Sequence, residues 1–100
     1  MSGVSYSICH VVIRGRVQGV GYRAWTEYTA LRRGVEGWVR NCRDGSVEAV
    51  FAGEPPLVAD MIQACRRGPH LSRVDALDQR DGTAAEFGKR VPGDLFSVLF

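Results

Sequence analysis

The residues best suited to chemistry lie in one run, Arg14-Gly15-Arg16-Val17-Gln18-Gly19-Val20-Gly21-Tyr22-Arg23. Gly15, Gly19 and Gly21 allow φ > 0 and close backbone approach to a ligand. The run separates an apolar, β-branched stretch ending at Ile13 from a segment that reads as a helix beginning at Tyr22. A turn between strand and helix leaves N–H groups unpaired, and the positive end of the helix dipole favours an anion there. Arg23 falls in the first helical turn, where a cation is mildly unfavourable unless an anion lies beside it. The pattern predicts an anion cradle of backbone amides plus one guanidinium. Spacing alone leaves the plainer reading open, since an arginine at a helix start is commonly a solvated surface charge.

The elements that must position this turn follow from the periodicity. Residues 8–14 alternate as a strand, with Cys9, Val11 and Ile13 facing a core and Ile8, His10, Val12 and Arg14 facing away. Residues 22–33 read as a helix with a stripe of Tyr22, Trp25, Thr26, Thr29 and Ala30, stopped by Gly34. Residues 35–42 return as a strand with Gly37, Val39 and Asn41 on one face and Trp38 on the other. Arg43-Asp44-Gly45-Ser46 reads as a hairpin turn, with the Asp-Gly pair expected at φ > 0, and Val47, Ala49 and Phe51 alternate along its partner strand. Gly53-Glu54-Pro55-Pro56 opens a second helix with the stripe Val58, Met61, Ile62 and Cys65, stopped by Gly68-Pro69. Residues 71–79 read as a weaker strand, 80–92 as a long loop and 94–100 as a terminal strand, while 1–6 are expected to be loose. The order β-α-β-β-α-β plus one strand predicts an α+β, ferredoxin-like sandwich. Its antiparallel sheet would carry two helices on one face and leave the other partly wet.

One hundred residues predict a single domain spanning 1–100. A net charge of +2 is too weak to argue for nucleic acid or a membrane surface. No apolar run approaches the roughly 20 residues of a membrane span, and Met1-Ser2-Gly3-Val4 lacks a charged n-region with an apolar h-region, so no secretory leader is expected. Cys9, Cys42 and Cys65 are far apart, form no CxxC and have no histidine at ligand spacing, so reduced thiols in a cytoplasmic protein without metal are expected.

With the elements in place, Gly15-Arg16-Val17-Gln18-Gly19-Val20-Gly21-Tyr22-Arg23 resembles the signature of the acylphosphatase family. So do Gly37-Trp38-Val39-Arg40-Asn41, Asp44-Gly45-Ser46-Val47-Glu48, Gly68-Pro69, Ser72-Arg73-Val74 and Phe96-Ser97-Val98. The resemblance implies hydrolysis of the carboxyl-phosphate bond of acyl phosphates, with no cofactor, metal or covalent intermediate. By motif position it implies that Arg23 binds the phosphoryl group, that the amides of Arg16, Val17, Gln18, Gly19 and Val20 hold its oxygens, and that Asn41 orients the attacking water. Gly15 and Gly21 would shape the loop. Two positions depart from the family: Arg33, where relatives usually carry an apolar residue, and Leu99, where many carry an arginine before a final aromatic.

The chemistry stands without the resemblance. A carboxylate whose conjugate acid has a pKa of about 4 to 5 leaves at neutral pH without a proton, so no general acid is required. Phosphoryl transfer asks mainly for positioning and for stabilisation of charge on the equatorial oxygens. A guanidinium matches two of those oxygens at once, and a neutral amide can hold water without repelling a dianion. Gln18 is expected to order the loop, Tyr22 and Trp38 to pack, and His10 and His70 to stand apart from the reaction. Arg14, Arg16, Arg40 and Arg43 are expected to give the mouth a positive field. The expected partner is a small-molecule acyl phosphate bound by a monomer, with neither nucleic acid nor membrane. The alternative is a non-catalytic ferredoxin-like module that binds anions or RNA. Val47-Glu48-Ala49-Val50-Phe51 lacks the aromatic pattern such RNA platforms use.

Overall fold

A computed structural model describes residues 5–100. The first four residues of the segment expected to be loose lie outside the described residues, while Ser5 and Tyr6 are exposed and outside regular structure. The elements are β1 (Ser7–Arg16), α1 (Tyr22–Arg33), β2 (Glu36–Asn41), β3 (Val47–Gly53), α2 (Pro55–Arg67), β4 (Arg73–Asp81), α3 (Ala84–Phe87) and β5 (Phe96–Leu99). They build one sheet in the order β4-β1-β3-β2-β5.

β1 pairs antiparallel with β3 and β4, and β2 with β3, but β5 runs parallel to β2. The sheet is therefore mixed, which corrects the expectation of an antiparallel one. A tight hairpin forces neighbouring strands to run opposite ways, whereas the long connection that precedes β5 imposes no direction.

Helices α1 and α2 cover one face. Val11 and Ile13 of β1, Val39 of β2 and Ala49 and Phe51 of β3 meet Tyr22 and Ala30 of α1 and Val58, Met61 and Cys65 of α2 in one core. Cys9 faces the same way but is only half-buried. α1 closes with a Schellman-type end: the Val35 N–H donates to the Ala30 carbonyl at 2.9 Å and Gly34 adopts φ 72°. Arg33, in the last turn, donates to Asp60 Oδ2 at 3.0 Å, so this departure links the two helices instead of entering the core.

The opposite face is drier than expected at one end. The stretch 80–92, expected to be a loop, continues β4 to Asp81 and then forms the single turn α3. Thr83 and Glu86 make a capping box there, Glu86 N–H to Thr83 Oγ1 at 3.1 Å and Thr83 N–H to Glu86 Oε1 at 2.9 Å. Trp38 donates its Nε1–H to the Glu86 carbonyl at 2.7 Å and is buried with Val50 and Ala52. Further along, the same face is polar. His10 Nε2 lies 2.6 Å from Glu48 Oε2, and Arg40 donates to Glu48 Oε1 at 2.5 Å. Burial alone would raise the Glu48 carboxyl, but the hydrogen bonds from His10 and Arg40 outweigh it and hold the carboxyl below its ordinary value.

The β2–β3 turn also differs from expectation. Gly45 alone has φ > 0, at 92°. Cys42 N–H donates to the Ser46 carbonyl at 2.9 Å and Gly45 N–H to the Cys42 carbonyl at 3.2 Å, the pattern of a three-residue loop with one left-handed glycine. Asp44 contributes through its side chain, accepting from Ser46 Oγ at 2.6 Å and Ser46 N at 3.0 Å. These bonds, with the Arg14 guanidinium, hold its carboxyl down to about 2.

Candidate active site

The loop between β1 and α1 is held at each step. At Gly15 the register with β4 shifts, and a Cβ there would lie 2.2 Å from the Arg73 carbonyl oxygen, so only glycine admits this close approach. Val17 is fully buried and pins the loop to the core. Gln18 donates from Nε2 to the carbonyls of Cys42 and Ser46, both at 2.8 Å, which ties the loop to the turn that follows Asn41. Gly21 caps α1 at φ 79° with open space where a Cβ would stand, so glycine is required there by backbone conformation and not by crowding. Among the described residues, no turn, loop or cap bond uses the N–H groups of Val17, Gln18, Gly19 or Val20.

Arg23 is the second residue of α1 and Asn41 the last of β2. A cleft of about 330 Å³ brings them together with Val17, Gln18, Gly19 and Gly21. Gly15, Arg16 and Val20 lie outside its lining. Asn41 is half-buried, and its Oδ1 is shielded without a hydrogen-bond partner. A buried acceptor with no protein donor is a place for water. The Arg23 guanidinium carbon lies 5.3 Å from the ring centroid of Phe100, which is fully exposed. Arg23 joins none of the ion pairs among the described residues.

The cleft is also lined by Ala24, Glu27, Val98 and Phe100, none of which the sequence pattern marks as a site residue. Glu27 was findable, four residues beyond Arg23 on the same helix face. Phe100 was not, because it reaches the site only when β5 docks beside β2. A second groove of about 500 Å³ adjoins, lined by Arg40, Asn41, Cys42, Arg43 and Phe100.

The positive field has a narrower origin than expected. Arg14 pairs with Asp44 at 3.2 Å and approaches Asp78 at 3.8 Å, and Arg40 pairs with Glu48. Arg16, Arg23 and Arg43 are the mouth arginines without an ion pair among the described residues. Neither histidine lines the cleft, since His70 is exposed beyond α2 and His10 is bonded to Glu48. Tyr22 is buried and donates to the Cys65 carbonyl at 2.6 Å, and burial pushes its phenol far above the ordinary range. The cysteines are unpaired. Burial pushes the Cys65 thiol up to about 12. Among the described residues no group of three or more His, Cys, Asp or Glu could hold a metal ion.

The arrangement presents free amides, one unpaired guanidinium and an amide oxygen awaiting a donor within one cleft. It can bind an oxyanion and place water beside it. A model of the acylphosphatase family matches residues 9–90. An acylphosphatase of Bradyrhizobium diazoefficiens is 59% identical over 96 residues, covering 96% of this chain and 97% of its own length. Among solved structures, an acylphosphatase from Bacillus subtilis superposes with a TM-score of 0.79 at 28% identity, covering 93% of this chain and 98% of its own. An acylphosphatase from Coxiella burnetii does so with a TM-score of 0.81 at 26% identity, covering 94% and 93%. The chain belongs to the acylphosphatase family.

Proposed function

We infer that this chain hydrolyses acyl phosphates by in-line attack of water, with Arg23 and loop amides holding the phosphoryl group and Asn41 orienting the nucleophile. The enzyme is an acylphosphate phosphohydrolase. The observation that carries this reading is the single cleft in which Arg23 from α1 and Asn41 from β2 face a loop with unpaired amides. The amides of Val17 to Val20, together with that of Arg16 where the strand ends, would take the phosphate oxygens, and Arg23 would bridge two of them.

Water held at Asn41 attacks phosphorus as the bond from phosphorus to the acyl oxygen breaks. The bonding pair leaves with the carboxylate, and the protons of water end on inorganic phosphate. Charge balances without a catalytic base, because a dianionic acyl phosphate plus water gives a carboxylate and dihydrogen phosphate. Gly19 and Gly21 let the backbone curve around the anion, and Gln18 keeps the loop at a fixed distance from Asn41.

Metal independence, a cytoplasmic setting and a monomeric single domain belong to the same reading. They are supported by the good leaving group, by three unpaired thiols and by one continuous core. No helix is long and apolar enough to cross a membrane among the described residues. The RNA-binding alternative has no exposed strand-aromatic platform among the described residues, since the outward-facing strand aromatic Trp38 is 1% exposed. The test is turnover of benzoyl phosphate in excess chelator. Hydrolysis with competitive inhibition by inorganic phosphate is expected, and activity only after metal is added back would refute the metal-free mechanism.

A further inference from the structure

The phosphoryl end of the substrate is accounted for by the loop, Arg23 and Asn41. The acyl end meets the rest of the cleft, where Glu27 is the one charged side chain besides Arg23. We propose that Glu27 sorts acyl phosphates by the charge on their acyl group, favouring acyl groups that carry an ammonium over those that carry a second carboxylate. This rests on the in-line mechanism above and adds the substrate class to it.

Direction is the first support. An in-line displacement places the leaving oxygen opposite the attacking water, and therefore away from Asn41. β2 and β5 are paired with Val39 beside Val98 and Arg40 beside Leu99, which brings Phe100 level with Asn41 at the rim and sets Val98 two residues further back. Glu27 lies one turn, about 6 Å, beyond Arg23 along α1. Val98 and Glu27 line the cleft but not the adjoining groove, whereas Asn41 and Phe100 line both. An acyl group pointing away from Asn41 thus runs between α1 and β5 toward Glu27.

The state of Glu27 is the second support. It is half-buried, and its carboxylate takes part in no ion pair among the described residues. Arg23, the cation nearest along the helix, stacks over Phe100 instead. The side chains of Ala24, Val98 and Phe100 in the same lining are uncharged. An unpaired carboxylate past a stretch of uncharged side chains attracts a cation and repels an anion. The arginines of the neighbouring groove, Arg40 and Arg43, lie on the side from which water comes.

Benzoyl phosphate, 4-(aminomethyl)benzoyl phosphate and 4-carboxybenzoyl phosphate form a test series of equal reach. A unit charge about 7 Å away in partly hydrated surroundings changes binding about fivefold. The parent enzyme is therefore expected to favour the aminomethyl over the carboxy substrate about tenfold or more in kcat/KM, mostly through KM. Glu27→Gln should bring the two within about twofold, and Glu27→Lys should invert the order. An unchanged ratio in Glu27→Gln would overturn the proposal even if benzoyl phosphate is hydrolysed normally. So would a parent preference for the carboxy substrate that is lost in Arg43→Ala, which would place the acyl group in the other groove. Hydrolysis of none of the three by the parent would overturn the mechanism, and this inference with it.

Discussion

Arg23 and Arg90 each rest a guanidinium over a phenylalanine ring, Arg23 at 5.3 Å from Phe100 and Arg90 at 3.9 Å from Phe87. Arg90 also donates to Glu36 Oε1 at 2.7 Å and to the Asp94 and Leu95 carbonyls at 3.4 Å, which clasps the return of the chain onto β2. Its Nε has no partner, but its charge is matched by Glu36. Arg23 has the ring and no carboxylate. The same pair of side chains thus serves as a fastener where the charge is neutralised and, in the function proposed above, as a receptor where it is left open. An unneutralised arginine with one aromatic neighbour keeps its donors available for an incoming oxyanion.

That contrast can be broken by mutation. Arg23→Ala is expected to lower kcat/KM for benzoyl phosphate by about thirty- to several-thousandfold, or about 2 to 5 kcal/mol, with little change in unfolding midpoint. Arg23→Lys should recover little, because an ammonium cannot reproduce the fork. Arg90→Ala should do the reverse. Urea unfolding should show a loss of about 1 to 2 kcal/mol, while kcat/KM per folded molecule stays within about twofold. An equal loss of activity in both variants would erase the distinction.

The next effect in size separates phosphate binding from water placement. Asn41→Ala is expected to lower kcat about ten- to a hundredfold, about 1.4 to 2.7 kcal/mol, and to leave inhibition by inorganic phosphate nearly unchanged. If phosphate inhibition weakens by the same factor, Asn41 is a phosphate ligand and not the water's anchor.

The smallest effects concern two carboxylates, one in the β2–β3 turn and one in α3. Asp44 in the turn beside the cleft is held at about 2 by hydrogen bonds from Ser46, with Arg14 adding to them, against an ordinary 3.8. Glu86 beneath Trp38 is held at about 2 by Arg80 and the Thr83 amide, against 4.5. Both folded values lie below the unfolded ones. Each carboxylate therefore contributes stability above about pH 4 that fades as the pH falls toward 2. Asp44 is exposed, and the half-buried Glu86 pairs with an exposed Arg80, so the contributions are small. Thermal melts of Asp44→Asn and Glu86→Gln should lie slightly below the parent at pH 7 and converge with it near pH 2. A gap that stays constant with pH would show that the lost interaction is not one of charge.

Much of the site was legible because it is local. The glycines, Arg23 and the unpaired amides follow from one strand-to-helix turn. Asn41 needed the family resemblance, since an asparagine at a strand end serves equally well in a turn. Glu27 and Phe100 were overlooked for different reasons: Glu27 reads as an ordinary solvated helix charge, and Phe100 reaches the cleft only through strand pairing. In the fold, α1 and α2 and the strands that flank them matched their periodicity. α3 was missed although Thr83-Ala84-Ala85-Glu86 spells a capping box, because a single turn is too short to show a period.

Local conformations were set by neighbouring residues alone: where glycine permits a left-handed turn, where α1 begins and ends, and which stripes seek a core. These depend on sterics and on burial patterns repeated within a few residues. Long-range packing, by contrast, set β5 parallel beside β2 and brought Phe100 under the Arg23 guanidinium. It also decided that Asn41 shares a cleft with the loop, and which arginines are neutralised. Those outcomes depend on pairing between residues distant in the chain, where many arrangements satisfy the same local preferences and a shared core selects one.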